Sequence, residues 1–240
     1  MAIRAVLWDV DDTIFDYGTA DRAGMRAHLA VEGLLGRYGS VEDALDHWKA
    51  LTELHWRRYE ATGGDWQEQR RARVRDFLGS PALPDADTDA WLERYRRHYE
   101  AASALFPDTV PVLDLLAGDY RHAILSNASL LVQEPKLRVL GVRDRFEAVV
   151  CAVELGVAKP AAAAFHAACA ALGLPPEEVA YVGDHPDIDA RGATDAGLTG
   201  IWLDRQGTGG RPELTRITDL HQLPGVLAGD TGFGAQDTFR

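Results

Sequence analysis

"VLWDVDDTIFDY", residues 6–17, decides how this chain is read. An apolar run, Val6 to Trp8, passes directly into four aspartates, Asp9, Asp11, Asp12 and Asp16. The run has the length and the bulky apolar content of a strand buried on both faces. Acids crowded at the end of such a strand repel one another and lose hydration. They are tolerated where a cation neutralises them, so the stretch predicts a strand that delivers carboxylates to a binding edge.

Working outward, four further runs share this character: "RHAILSNA" (121–128), "FEAVVCA" (146–152), "VAYVGD" (179–184) and "LTGIWLD" (198–204). Helical patterns separate them at 108–118, 129–140, 160–172 and 187–197. Buried strands alternating with helices predict an α/β fold, a Rossmann-like doubly wound parallel sheet. Residues 17–104 break the alternation. Four stretches there carry apolar residues at helical spacing, with Gly, Ser, Asp or Pro between them, and no strand pattern occurs. The expected organisation is a core domain from 1–16 and 105–240, with an all-helical domain, 17–104, inserted after the first strand. Trp48, Trp56, Trp66 and Trp91 fall in the insertion and are expected to fill its core. The final stretch, "GDTGFGAQDTFR", is expected to be a loose tail.

Composition excludes several functions. The chain has 240 residues, 46% of them hydrophobic, and a formal net charge of −12. Such a chain has no general attraction for nucleic acid or an anionic membrane, so an anionic ligand needs a locally positive site. The run "RRARVR" (70–75) has acids on either side and reads as a solvated helix face. No segment is long and apolar enough for a membrane span. The two cysteines, Cys151 and Cys169, have neither disulfide nor zinc spacing and are expected to be buried thiols in a reducing cytoplasm.

The polar clusters fall at the carboxyl ends of the predicted strands, where open α/β sheets bind ligands. Asp9 and Asp11 follow the first, Ser126 and Asn127 end the second, Lys159 follows the third and Asp184 ends the fourth. Carboxylates without His or Cys at ligand spacing suit Mg²⁺ better than zinc. A lysine and a serine add a phosphate cradle. A carboxylate beside a bound phosphate can act as a nucleophile, and a second one as general acid and base.

These segments resemble the haloacid dehalogenase superfamily. "DVDDT" (9–13) is similar to its DxDxT motif, "LSNAS" (125–129) to the strand ending in Ser or Thr, "AKP" (158–160) to the lysine motif, and "VGDHPDID" (182–189) to the acidic motif. The helical insertion resembles the C1-type cap. The resemblance implies a phosphatase-type, Mg²⁺-dependent hydrolase acting on a small phosphorylated metabolite. It implies that Asp9 is the nucleophile, carrying an aspartyl phosphate, and Asp11 the general acid and base. Asp9, the Asp11 backbone carbonyl and Asp184 would hold the metal. Ser126, Asn127 and Lys159 would meet the phosphoryl oxygens, Thr13 would orient the loop and Asp9, and Asp189 would support the site. Asp12 reads as a turn residue, Asp187 as an early-helix residue and His185 as a loop residue, and Lys136, in a helical stretch, is the alternative to Lys159 as site lysine. Dehalogenases of the superfamily lack the second Asp of the first motif, which this chain keeps. A 2-haloacid dehalogenase and a sugar phosphomutase are the alternatives, and a catalytically silent binding protein a remote one.

Overall fold

The computed structural model describes residues 2–229, and the expected tail lies almost wholly outside them. The chain forms two compact units, one of residues 1–16 with 104–240 and the other of residues 17–103.

The first unit opens with β1 (Ala5–Trp8), buried at every position. The second unit interrupts it with α1 (Tyr17–Val31), α2 (Val41–Thr62), α3 (Trp66–Leu78) and α4 (Asp85–Ala101). The first unit resumes with α5 (Thr109–Leu116), β2 (Arg121–Ser126), α6 (Leu130–Val139), β3 (Ala148–Cys151), α7 (Ala152–Leu155) and α8 (Ala162–Leu172). It ends with β4 (Val179–Gly183), a π-helical turn (Pro186–Arg191), α9 (Gly192–Asp195), β5 (Thr199–Leu203), β6 (Thr215–Ile217) and α10 (Leu223–Leu227).

The strands pair in the order β3-β2-β1-β4-β5-β6, all parallel. The connections therefore reverse direction between β1 and β4. In doubly wound sheets the crevice at such a reversal is where ligands sit. Register places Trp8 opposite both Ile124 and Val182, so the loops beyond β1 and β4 emerge side by side. A hydrogen bond from Asp9 N to Val182 O, 2.9 Å, fastens the junction. One side of the sheet packs Leu7, Leu125 and Tyr181 against Phe165, Ala168 and Leu172 of α8. Burying each large apolar side chain contributes about 1.5–3 kcal/mol, which fixes the strands firmly enough to position the loops at their carboxyl ends.

Two differences from the sequence reading have local causes. β6 is a three-residue edge strand with two of its residues exposed, too short to show a buried pattern. The helix expected over 187–197 is instead a π-helical turn running into α9, with the buried Asp189 within the turn. Cys151 and Cys169 are free and buried.

The helical unit has its own core of Met25, Leu29, Leu45, Trp48, Phe77 and Trp91. Gly24 lets α1 and α4 approach closely, since a Cβ there would stand 2.6 Å from Tyr99 Cα. The buried Asp21 receives hydrogen bonds from Trp48 Nε1, 3.1 Å, and from the Tyr95 hydroxyl. Trp56 and Trp66 do not join that core. They are half-buried and meet edge to face, 5.6 Å between centroids, beside Tyr59. Arg71 and Arg75 of the basic run pair with Glu68, Asp85 and Asp89, as its neighbouring acids suggest. No described helix is long and apolar enough to cross a membrane.

Candidate active site at the carboxyl edge of the sheet

Asp9 leaves β1 into the crevice and is 7% exposed. The loop after it turns at once: Thr13, Ile14 and Phe15 all donate backbone hydrogen bonds to Val10 O. Asp12 takes the left-handed conformation, φ 59°, which Asp adopts more readily than most side chains. This turn brings Thr13 back to Asp9, where its Oγ1 donates to Asp9 Oδ2 at 3.3 Å.

Lys159, between α7 and α8, is buried at the centre of the cluster. Its Nζ lies 2.7 Å from Asp9 Oδ1, 2.7 Å from Asp189 Oδ1 and 2.6 Å from the Tyr181 hydroxyl. Tyr181 Oη in turn donates to Leu125 O at 3.0 Å. Burial opposes the lysine's charge, but Asp189 and Asp9 outweigh it and hold the amine above its ordinary range. Asn127 does not offer its amide to the crevice. Its Oδ1 accepts from Lys159 N at 2.8 Å and its Nδ2 donates to Lys159 O at 3.0 Å. The side-chain amide thus clamps the lysine's backbone with both its ends.

Asp184 follows β4 and is half-buried. One carboxylate oxygen each from Asp9, Asp184 and Asp189 lie within 4.8 Å of one another. Burial is the main force on two of these acids. It pushes Asp9 up to about 7, against the pull of Lys159 and with repulsion from Asp189 added. It pushes Asp184 up to about 9, with Asp9 and Asp189 adding repulsion. Three converging carboxylates, two of them resisting ionisation, are a hard-oxygen donor set suited to a divalent cation such as Mg²⁺. Asp189 approaches because Gly183 has no side chain: a Cβ there would stand 2.4 Å from Asp189 Cγ.

Asp11 points elsewhere. Lys136 Nζ lies 2.5 Å from its Oδ1, and Gln133 Nε2 lies 2.8 Å from its Oδ2. Its side chain therefore stands outside the three-carboxylate cluster, which Asp189 completes. Ser126 Oγ accepts from Ala128 N at 3.2 Å and from Gln133 Nε2 at 3.0 Å, and its hydroxyl can still donate. Asp187 is exposed and paired with Arg211. His185 caps the π-helical turn, its Nδ1 accepting from Asp187 N and Ile188 N.

Sequence reading misses Gln133 and Tyr181, and weighs Lys136 only as the alternative to Lys159. Gln133 and Lys136 fall within a helix, away from any strand end. Tyr181 sits in an apolar strand where an aromatic reads as core. The available signal is the three-residue step from Gln133 to Lys136, which puts two polar groups on one face of α6.

The comparisons with known proteins give the family and the fold. A family model of haloacid dehalogenase-like hydrolases matches residues 3–197. A phosphoserine phosphatase of Thermus thermophilus is 30% identical, over 95% of this chain and 96% of its own. A HAD hydrolase of Bacillus subtilis, solved with magnesium bound, shares the fold with a TM-score of 0.78 at 23% identity, over 95% and 99% of the two chains. A 2-haloacid dehalogenase of Pseudomonas syringae is 26% identical with a TM-score of 0.67, over 95% and 100%.

Proposed function

Because this chain belongs to the haloacid dehalogenase-like hydrolases, we propose that it is a Mg²⁺-dependent phosphomonoesterase that works through an aspartyl phosphate on Asp9. It is a hydrolase with a phosphatase among its relatives. The finer reading is supported by the division of labour between two aspartates two residues apart. Asp9 stands in the carboxylate cluster with a lysine and a threonine on its two oxygens. Asp11 stands outside it, held by α6.

In the first half-reaction an Asp9 oxygen bonds to phosphorus as the ester P–O bond breaks, and Asp11 gives its proton to the departing oxygen. In the second, a water oxygen bonds to phosphorus, its proton passes to Asp11, and the Asp9–phosphorus bond breaks. Lys159 steadies Asp9 and lends positive charge for the phosphoryl oxygens, and the Ser126 hydroxyl donates to them. Asn127 and Tyr181 hold Lys159 in place. Mg²⁺, held by Asp9 and Asp184 with the Asp11 backbone carbonyl and with Asp189 beside them, would neutralise charge on the carboxylates and the transferring group. Displacement of a halide from carbon needs no proton on the leaving group, so it gives the acid role of Asp11 nothing to do.

The substrate is a small phosphorylated metabolite. Phosphoserine heads the panel to be screened, because the relative at 30% identity bears that name. Cytoplasmic action suits two buried free thiols. The test is Asp9→Asn assayed with an aryl phosphate and Mg²⁺, its fold checked by circular dichroism. Turnover is expected to vanish with the fold intact, and undiminished turnover would contradict the proposal. Haloacid turnover without Mg²⁺ would favour the dehalogenase reading.

A further inference from the structure

Resting on the reading of Asp11 as acid and base, we propose that Gln133 and Lys136 are positioning residues that aim its carboxylate. Each Asp11 oxygen has its own donor, Lys136 Nζ at 2.5 Å and Gln133 Nε2 at 2.8 Å. The same Gln133 nitrogen reaches Ser126 Oγ at 3.0 Å, so one amide ties the loop after β1 to the end of β2. Gln133 is fully buried, and its Oε1 has no partner among the described residues. The Lys136 side chain is 8% exposed, with its ammonium 4.5 Å from the centroid of the Phe15 ring.

Burying an amide and an ammonium is costly unless each is well partnered. Here the ammonium meets Asp11, and the amide nitrogen is shared between Asp11 and Ser126. The two donors fix the direction of a carboxylate on a tight loop, two residues from Asp9. The two aspartates of the first motif therefore each have a lysine from a different segment, Lys159 for Asp9 and Lys136 for Asp11. Lys136 and Gln133 contact Asp11 and have no part at the phosphorus or the leaving oxygen in this scheme. They act through the direction in which Asp11 presents its oxygen.

The consequence depends on the leaving group. When the ester bond breaks, a basic alkoxide or phenolate needs the Asp11 proton, whereas a weakly basic one departs without it. In the second half-reaction, Asp11 takes a proton from water whatever the ester was. Misaiming Asp11 therefore slows the first step selectively and the second step universally.

The experiment compares the wild type with Lys136→Met, Gln133→Leu, Lys136→Arg and Asp11→Asn. The probes are phenyl phosphate and 2,4-dinitrophenyl phosphate with Mg²⁺, similar in size but different in leaving-group basicity. Lys136→Met and Gln133→Leu are expected to lower kcat/KM for phenyl phosphate roughly tenfold or more, and for the dinitrophenyl ester by less than about threefold. For the dinitrophenyl ester, kcat and KM should fall together, because only the second step is slowed. Lys136→Arg should recover most of the phenyl phosphate activity. A uniform fall in kcat/KM for both esters in the Met and Leu variants, with Asp11→Asn still selective, overturns the positioning role and makes these residues structural or phosphate-binding. A uniform fall in Asp11→Asn itself overturns the reading of Asp11 on which the proposal rests.

Discussion

Lys159 Nζ stands 2.7 Å from Asp9 Oδ1 across 150 residues of chain, in a contact almost closed to water. It also stands 2.7 Å from Asp189 Oδ1, so one cation serves two buried acids. Removing it leaves both uncompensated. Lys159→Met is expected to lower kcat/KM by at least about a hundredfold and to cost about 3–5 kcal/mol of stability at neutral pH. The stability loss should shrink on acidification, because a protonated Asp9 needs no partner. Urea denaturation at several pH values checks this, and a loss independent of pH would contradict it.

Cation binding should depend on pH in a defined direction. Burial raises Asp9 from 3.8 to about 7 and Asp184 from 3.8 to about 9. The unfolded chain gives up these protons first, so ionisation works against the fold. The favourable contribution is complete below 3.8 and is lost as pH rises through about 7 and about 9. A divalent cation competes with the same protons. The rise in Tm on adding Mg²⁺ is therefore expected to be larger at about pH 8 than at about pH 5.5. An equal or reversed shift, read by thermal denaturation, would contradict the assignment of these acids.

Gly183 is needed for the approach of Asp189. In Gly183→Ala the new methyl would meet Asp189 Cγ at 2.4 Å and Cβ at 2.5 Å. The strand end or the acid must shift, at a cost of about 1–3 kcal/mol. Either movement disturbs the hold of Asp189 on Lys159. Lower kcat/KM together with a lower denaturation midpoint is expected, and an unchanged enzyme would show that Asp189 need not sit where it does.

The helical unit carries an acid-sensitive group of its own. His28 is fully buried, and neither ring nitrogen has a hydrogen-bond partner among the described residues. Burial pushes it from 6.5 down to about 4, so it is neutral in the folded protein at neutral pH. Its contribution is present above 6.5 and is lost as pH falls through about 4. Between neutral pH and about pH 5 the loss is about 2 kcal/mol. Replacing His28 by Leu should flatten the dependence of stability on pH over this range. Urea denaturation of both proteins at the two pH values measures it.

The sheet was legible because its strands are buried on both faces, so "AVLW" and "VAYVG" carry apolar side chains without alternation. β6 was not, because an exposed three-residue edge has little apolar pattern to show. In the site, Asp9, Thr13, Lys159, Asp184 and Asp189 could be named because each follows a strand or falls at a motif spacing. Asn127 could be named, but its two hydrogen bonds to the Lys159 backbone could not, because the sequence does not show which way an amide faces. Gln133 and Lys136 lie more than 120 residues from Asp11, and only the pairing of β2 with β1 brings α6 beside it. Long-range contacts made by helix side chains leave no local pattern, so this half of the site needed coordinates.

The central claim is that Asp9 becomes covalently phosphorylated. The most direct measurement is to quench the enzyme in acid during turnover of an aryl phosphate with Mg²⁺, reduce it with borohydride and map the modified residue by mass spectrometry. An acyl phosphate reduces to an alcohol, so homoserine is expected at position 9, and at no position in Asp9→Asn. Modification at another residue, or sustained turnover with no modified residue under conditions that trap acyl phosphates, would contradict the account.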